Sequence, residues 1–333
     1  MRGLALIVGV AVLAGAAVVA RRFAAAHARA LAAVSRGSEI ARLPGSAVEY
    51  ADRGEGPVLL SIHGAGGGFD HGLAFADELM GEGFRVIAPS RFGYLRTAAP
   101  DGAEAPDGGI ATQADAHAAL LDHLGLDGVI VMGLSAGARS AAALAIRHPG
   151  KVRALVLIVP ALDAPHSPVA TDPTAGNRLV FAVLKAGGDF FWWLIGALGP
   201  NMLIRFVGVR PALLEQAGES ERKRVLALAA AIAPVSARAA GIRLDSACPH
   251  PVLPLERITA PTLIISARDD LFNTLPAAEL AAARIPGAQF IAYDTGGHLL
   301  VGRAAETRAA VRAFLDEAAA IESGGAGGSS GRT

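Results

Sequence analysis

The stretch Met132 to Ser140, MGLSAGARS, sets one serine between two glycines, directly after the apolar run Gly128-Val129-Ile130-Val131 and ahead of an Ala-rich helical pattern. A strand that turns abruptly into a helix holds its corner residue in a strained backbone conformation, and side chains at the flanking positions would collide. Gly133 and Gly137 relieve that collision. The corner residue, Ser135, then presents its hydroxyl at a helix N-terminus, where the dipole favours a developing negative charge. In a chain with 40 glycines the pentapeptide alone is not diagnostic. The strand before it and the helix after it give it meaning.

Working outward, Val58 to Ile62, Phe84 to Ala88, Val129 to Met132, Ala154 to Val159, Thr262 to Ser266 and Gln289 to Tyr293 have the length of buried strands, with helical patterns between several of them. This alternation predicts an α/β fold, a mostly parallel, doubly wound sheet with helices on both faces. Ligands of such sheets sit at the C-terminal ends of the strands, where Ser135 falls. The core is expected over residues 46–160 and 257–320, opening with the alternating strand pattern of Ala47 to Arg53. The span of roughly a hundred residues between the Ala154 and Thr262 strands exceeds what a crossover needs and predicts an inserted helical lid over 161–256. That insert holds both tryptophans of the chain, in the aromatic run Phe190-Phe191-Trp192-Trp193. A helical connector is expected over 23–45 and a flexible Gly/Ser-rich tail over 321–333.

Thirty basic residues balance thirty acidic ones, so net charge points to no nucleic-acid partner. A lone cysteine, Cys248, excludes an intrachain disulfide framework and a cysteine-built metal site. At the N-terminus Leu4 to Ala20 is an uncharged apolar run bounded by Arg2 and by Arg21-Arg22. It has the length of a short membrane-spanning helix, for which roughly 17 to 25 residues are needed. Residues 1–22 are therefore expected to be an uncleaved membrane anchor, because Arg21 and Arg22 stand where a cleavage site wants small neutral residues. A secretory signal cut near Ala28-Arg29-Ala30, giving a secreted or periplasmic protein, is the alternative. The arginines after the run favour a catalytic domain on the cytoplasmic face.

A serine at its ordinary pKa needs a base. His298, in a glycine-bearing loop just after the last strand, is the candidate; His117 and His123 fall in a helical pattern and His148 precedes Pro149. The imidazole in turn needs an orienting carboxylate. Asp270 is chosen, with Asp269, readable as a turn residue, and Asp163, which follows the Ala154 strand, as alternatives. Two backbone donors would hold an oxyanion: the N–H of Ala136, and that of Ala65 in the loop HGAGGG, where glycines permit close backbone approach. His63 reads as structural, Asp70 and His71 as loop residues near the entrance. Phe69, Trp192 and Trp193 are the candidates for an apolar substrate wall. Arg139, near the start of the nucleophile helix, has no role legible in sequence.

Taken in order, HGAGGG, PSRFGYLRT, GLSAG, ARDD and GGH resemble the motif series of the α/β-hydrolase fold superfamily, serine branch, over about Val48 to Glu317. The resemblance implies an eight-stranded-type sheet, no cofactor, Ser135 as nucleophile, Asp270 as acid, His298 as base, and Ala65 and Ala136 as oxyanion donors. Serine at the elbow argues against the dehalogenases and epoxide hydrolases of this fold, which use aspartate. The expected activity is hydrolysis of a small to medium apolar carboxylic ester through an acyl-enzyme. A C–C bond hydrolase, thioesterase or perhydrolase with the same triad is the alternative among enzymes, and a catalytically silent hydrolase-like binding protein is the alternative outside them.

Overall fold

Side chains alternate along the strands and so feed two cores, one on each face of a single sheet. The computed structural model describes residues 2–102, 109–164, 175–247 and 252–326; Cys248 and the part of the expected tail from residue 327 lie outside them. The strands are β1 (Glu39–Leu43), β2 (Ser46–Arg53), β3 (Val58–Ile62), β4 (Arg85–Pro89), β5 (Val129–Leu134), β6 (Val152–Ile158), β7 (Thr262–Ala267) and β8 (Gln289–Tyr293). They form an 8-stranded sheet in the order β1-β2-β4-β3-β5-β6-β7-β8. β1 and β2 run antiparallel to their neighbours, and all pairs from β4 to β8 are parallel.

The helices are α1 (Arg2–Val34), α2 (Phe69–Leu79), α3 (Ile110–His123), α4 (Gly137–Arg147), α5 (Ala175–Lys185), α6 (Asp189–Leu198), α7 (Pro200–Phe206), α8 (Pro211–Ala217), α9 (Glu219–Ala230), α10 (Ala239–Ala247), α11 (Leu275–Arg284) and α12 (Ala304–Ala326). Val129, Val131, Leu155 and Leu157 point to the face covered by α3, α4 and α11. Ile130, Met132, Val156 and Ile158 point to the face covered by α2 and α12. This period of two is what both-face burial of a parallel strand requires. The helices α5 to α10 are inserted between β6 and β7 and carry a third cluster around Trp192, Leu203 and Phe206.

Two boundaries differ from the sequence reading. The sheet begins at Glu39, inside the stretch expected to be a helical connector. In Glu39-Ile40-Ala41-Arg42-Leu43 only Ala41 and Leu43 are buried, so the alternation is too short and too polar to stand out against the Ala-rich helix before it. At the other end α12 continues through Ser323 to Ala326, into the expected tail. The stretch Ile7–Val34 of α1 is long and apolar enough to cross a membrane, with a mean hydropathy of 1.8 over its most apolar 18 residues.

The fold also buries imidazoles in neutral form. Desolvation by burial lowers His117 to about 3 and His71 to about 4, and takes His63 well below the ordinary value. His117 sits between α3 and α4 with Nε2 3.3 Å from Ser140 Oγ. In the unfolded chain each of these groups takes up a proton near its ordinary pKa of about 6.5. Below that pH the unfolded state binds more protons than the fold, so stability falls with falling pH until the folded pKa is passed. The thermal unfolding temperature is accordingly expected to drop as pH is lowered from 6.5 toward 4. His117→Gln, which cannot take up that proton, should flatten this dependence in calorimetry; an unchanged slope would remove His117 from the account.

Candidate active site

The turn from β5 into α4 places Ser135 at φ 50°, a left-handed backbone that non-glycine residues rarely adopt. Its N–H donates to the Ile158 carbonyl at 2.9 Å, and its carbonyl accepts from Ala161 N–H at 3.0 Å, so the strained residue is tied to the end of β6. The flanking glycines are steric necessities. A Cβ on Gly133 would lie 2.6 Å from Ala141 Cβ, and one on Gly137 would lie 2.5 Å from the His63 carbonyl oxygen.

That last contact shows how the loop after β3 meets the turn. Gly64 packs on the serine, since a Cβ there would lie 3.1 Å from Ser135 Cβ. His63 is buried behind it: Nδ1 donates to the Gly64 carbonyl at 2.7 Å and Nε2 accepts Arg91 N–H at 2.9 Å. The ring is thus a structural clamp on the loop. Ala65 is exposed at the loop tip and Ala136 begins the α4 turn. Among the described residues, neither N–H donates to a protein acceptor.

His298 lies in the loop after β8, and its Nδ1 is 2.8 Å from Asp270 Oδ2 in the loop after β7. The pair is buried, with side chains 8% and 1% exposed. Asp270 is itself held, because Phe272 N–H donates to Oδ1 at 2.8 Å and the Thr274 hydroxyl donates to Oδ2. Asp269 points elsewhere and accepts Gly297 N–H at 2.7 Å, which fastens the histidine loop. Asp163 is half-buried beyond β6, and the carboxylate beside His298 is that of Asp270.

The helical insert reaches this pair through a residue that sequence reasoning missed. The Gly208 carbonyl accepts His298 N–H at 3.1 Å and Leu271 N–H at 3.2 Å. Gly208 has φ 76°, and a Cβ there would lie 2.4 Å from His298 Cβ. Nothing but its being a glycine marked it in the sequence. Phe272 stacks edge-on to the His298 ring, with centroids 4.6 Å apart.

Of the three aromatic residues expected to form a substrate wall, Phe69 and Trp192 are buried and Trp193 is half-buried. Phe69, the first residue of α2, is 3% exposed and faces the core. Trp192 is 3% exposed within the insert, against Phe206 at 5.5 Å. Trp193 packs on Phe23 of α1 at 5.9 Å. None of the ring contacts made by these three residues is to His298.

Buried ion pairs join insert and core around the site. Arg238 is fully buried and bidentate to Asp70, at 3.1 and 2.7 Å. Burial opposes ionisation of Asp70, yet Arg238 and the other groups around it hold that carboxyl down at about 2. Arg91 is bidentate to Asp245 of α10 at 2.8 and 2.6 Å, and Tyr94 donates to the same carboxylate at 2.6 Å. Burial raises the Tyr94 hydroxyl well above its ordinary value, with Asp245 reinforcing the effect. Arg139 acquires a role here: Nε donates to the Ala161 carbonyl at 2.9 Å and Nη1 reaches the Asp245 carbonyl at 3.4 Å, lashing α4 to the β6 loop and to α10. A cleft lined by Arg91, Gln113, Ala136, Arg139, Leu244 and Asp245 borders the elbow.

Residues 57–302 match the alpha/beta hydrolase fold family. The chain is 26% identical over 302 residues to the uncharacterized hydrolase YcgS of Bacillus subtilis, covering 85% of this chain and 100% of the relative. It is 30% identical over 285 residues to a 2-hydroxymuconate semialdehyde hydrolase of Pseudomonas putida, covering 82% and 92%. Among solved structures it resembles an alpha/beta hydrolase fold protein from Nakamurella multipartita, with a TM-score of 0.64, 30% identity, and coverage of 84% of this chain and 98% of the other. Strand order, the strained turn after β5 and these likenesses agree: the chain belongs to the alpha/beta hydrolase fold family.

Proposed function

We propose that this hydrolase is a serine esterase that cleaves a small to medium apolar carboxylic ester through an acyl-enzyme, and that α1 anchors it to a membrane. The observation that carries the catalytic reading is a coincidence at one edge of the sheet. β5, β7 and β8 belong to its parallel part, so the strained Ser135 and the buried His298–Asp270 pair all follow strand C-termini on the same side. Ser135 Oγ attacks the ester carbonyl while His298 Nε2 takes its proton. Asp270, accepting from Nδ1–H, fixes the tautomer and stabilises the imidazolium. The free N–H groups of Ala65 and Ala136 receive the oxyanion. His298 then protonates the leaving alcohol, and water repeats the sequence on the acyl-enzyme.

The charges near the elbow support an uncharged substrate. The Arg91 and Arg238 guanidinium groups are each spent on a carboxylate, and Arg139 Nε on a carbonyl. A C–C bond hydrolase is the second reading, supported by the 30% identity to the semialdehyde hydrolase. A muconate-type substrate carries a carboxylate and requires a cation free to receive it.

Ser135→Ala should abolish hydrolysis of p-nitrophenyl esters and labelling by a fluorophosphonate without changing the unfolding temperature. Turnover near that of the wild type would end the triad reading. A side-by-side assay on short and medium p-nitrophenyl esters and on a vinylogous diketone acid should favour the esters; preference for the diketone acid would make the second reading the correct one.

The two neighbouring aspartates separate orientation from loop support. Asp270→Asn is expected to lower kcat by about 10⁴-fold, the scale seen when an orienting carboxylate becomes an amide. Asp269→Asn weakens only the tie to Gly297 and should cost about tenfold or less, a change of one hydrogen bond. Equal losses in kcat would refute the division of labour.

A further inference from the structure

The insert carries an exposed apolar surface that the proposed chemistry does not use. From Phe190 to Leu198, α6 has no charged residue. Its inward side is anchored by Trp192, while Phe190 is 37% exposed, Phe191 58% and Leu198 79%. Positions 190, 191, 194 and 198 fall on one helical stripe.

This stripe begins where α1 touches the insert. Phe23 lies edge-on to Phe190 at 5.3 Å and 5.9 Å from Trp193. One turn further along α1, His27 Nδ1 is 3.8 Å from Asp189 Oδ2 at the start of α6. Phe23 directly follows the exposed pair Arg21-Arg22, which closes the apolar run Leu4 to Ala20. At 1.5 Å per residue that run is about 25 Å long, close to the hydrocarbon thickness of a bilayer at about 30 Å. A spanning α1 therefore brings Arg21 and Arg22 to the headgroups. The contact with α6 then falls within about one helical turn of the membrane surface. Aromatic rings favour that depth, and an exposed apolar helical stripe lies flat in it.

We propose that α6 is a second membrane contact, its Phe190, Phe191 and Leu198 stripe seated in the interfacial layer of the bilayer that α1 crosses, so that the hydrolase draws its ester from the lipid phase. The inference rests on the reading of α1 as an anchor and of the site as an esterase. A chain of contacts links the stripe to the site: Trp192 packs on Phe206 at 5.5 Å, and two residues on, Gly208 holds the His298 backbone. The occupant is a bilayer rather than a second copy of the chain because the stripe is continuous with the one helix, among the described residues, that is long and apolar enough to span.

The test uses the full chain mixed with vesicles of equimolar phosphatidylcholine and phosphatidylglycerol. In a Trp192→Phe background Trp193 is the only indole. Its fluorescence should be quenched by lipids brominated near the headgroup end of the acyl chain and be shielded from aqueous iodide. Phe190→Ser with Phe191→Ser should abolish that quenching. The same pair should also lower hydrolysis of a long-chain ester dissolved in the vesicles by about tenfold, since interfacial binding scales with buried apolar area. Hydrolysis of a water-soluble short ester and flotation with vesicles should persist. Wild-type protein that fails to float overturns the anchor and the inference with it. Flotation with Trp193 still open to iodide overturns α6 contact alone, as does unchanged vesicle-ester hydrolysis in the double variant. In a Cys248→Ser background, disulfide cross-linking of two Phe190→Cys chains in vesicles would assign the stripe to a second copy and refute the lipid contact.

Discussion

The backbone of Ser135 is the constraint on which the rest of the site depends. A residue at φ 50° between strand and helix is stable only if its surroundings over-determine it. Here the N–H is held by Ile158 and the carbonyl by Ala161 and Ala138, so β6 and α4 both hold the strained turn in place. The price is paid in side-chain space, since Gly133, Gly137 and Gly64 all lie where a Cβ would press on backbone or on the serine. Close approach of the HGAGGG loop to the serine is therefore a packing consequence of the turn. It is also what brings the unpaired Ala65 and Ala136 amides to the same end of the sheet.

The insert also scaffolds the site. Gly208 carries the amide of His298, Arg238 carries Asp70 at the start of α2, and Asp245 gathers Arg91 and Tyr94. Arg224 adds a further link, pairing with Glu78 of α2 and donating to the Leu299 carbonyl at 3.1 Å. Buried ion pairs contribute little net stability, because desolvation offsets the Coulomb gain, but stranding one partner is costly. Their effect is to fix where the insert sits. A covering element held by bidentate arginines and by a glycine pressed against the histidine has few alternative dockings on the core.

The same insert meets α1 through aromatic edges and the His27–Asp189 contact. The insert is thus held on one side by the Phe23 ring of α1 and on the other carries the His298 backbone through Gly208. Phe69 and Trp192 are buried, Phe272 lies edge-on to His298, and Phe92 lines the cleft beside Ala136.

The strand-forming runs, the Gly-x-Ser-x-Gly turn and the apolar N-terminal segment were legible in the sequence because each is a local pattern: burial periodicity, steric demand at adjacent positions, and length of an uncharged run. Serine, aspartate and histidine candidates followed from their places after successive strands. What only the tertiary structure decided are pairings between distant segments. Asp70 and Arg238 are 168 residues apart, Arg91 and Asp245 154, and neither partner carries a local mark of the other. β1 was hidden because the two buried side chains of a five-residue strand are too weak a pattern beside a long Ala-rich helix. The choice among Asp163, Asp269 and Asp270 as the carboxylate beside His298 depended on loop conformation, which turned Asp269 to Gly297 and Asp270 to the imidazole. In the sequence the aromatic run of α6 offered Trp192 and Trp193 as candidates for a substrate wall, with no sign of what each ring would pack against. Which ring met the insert core, which met α1 and which stayed exposed was fixed by packing against elements far away in the chain.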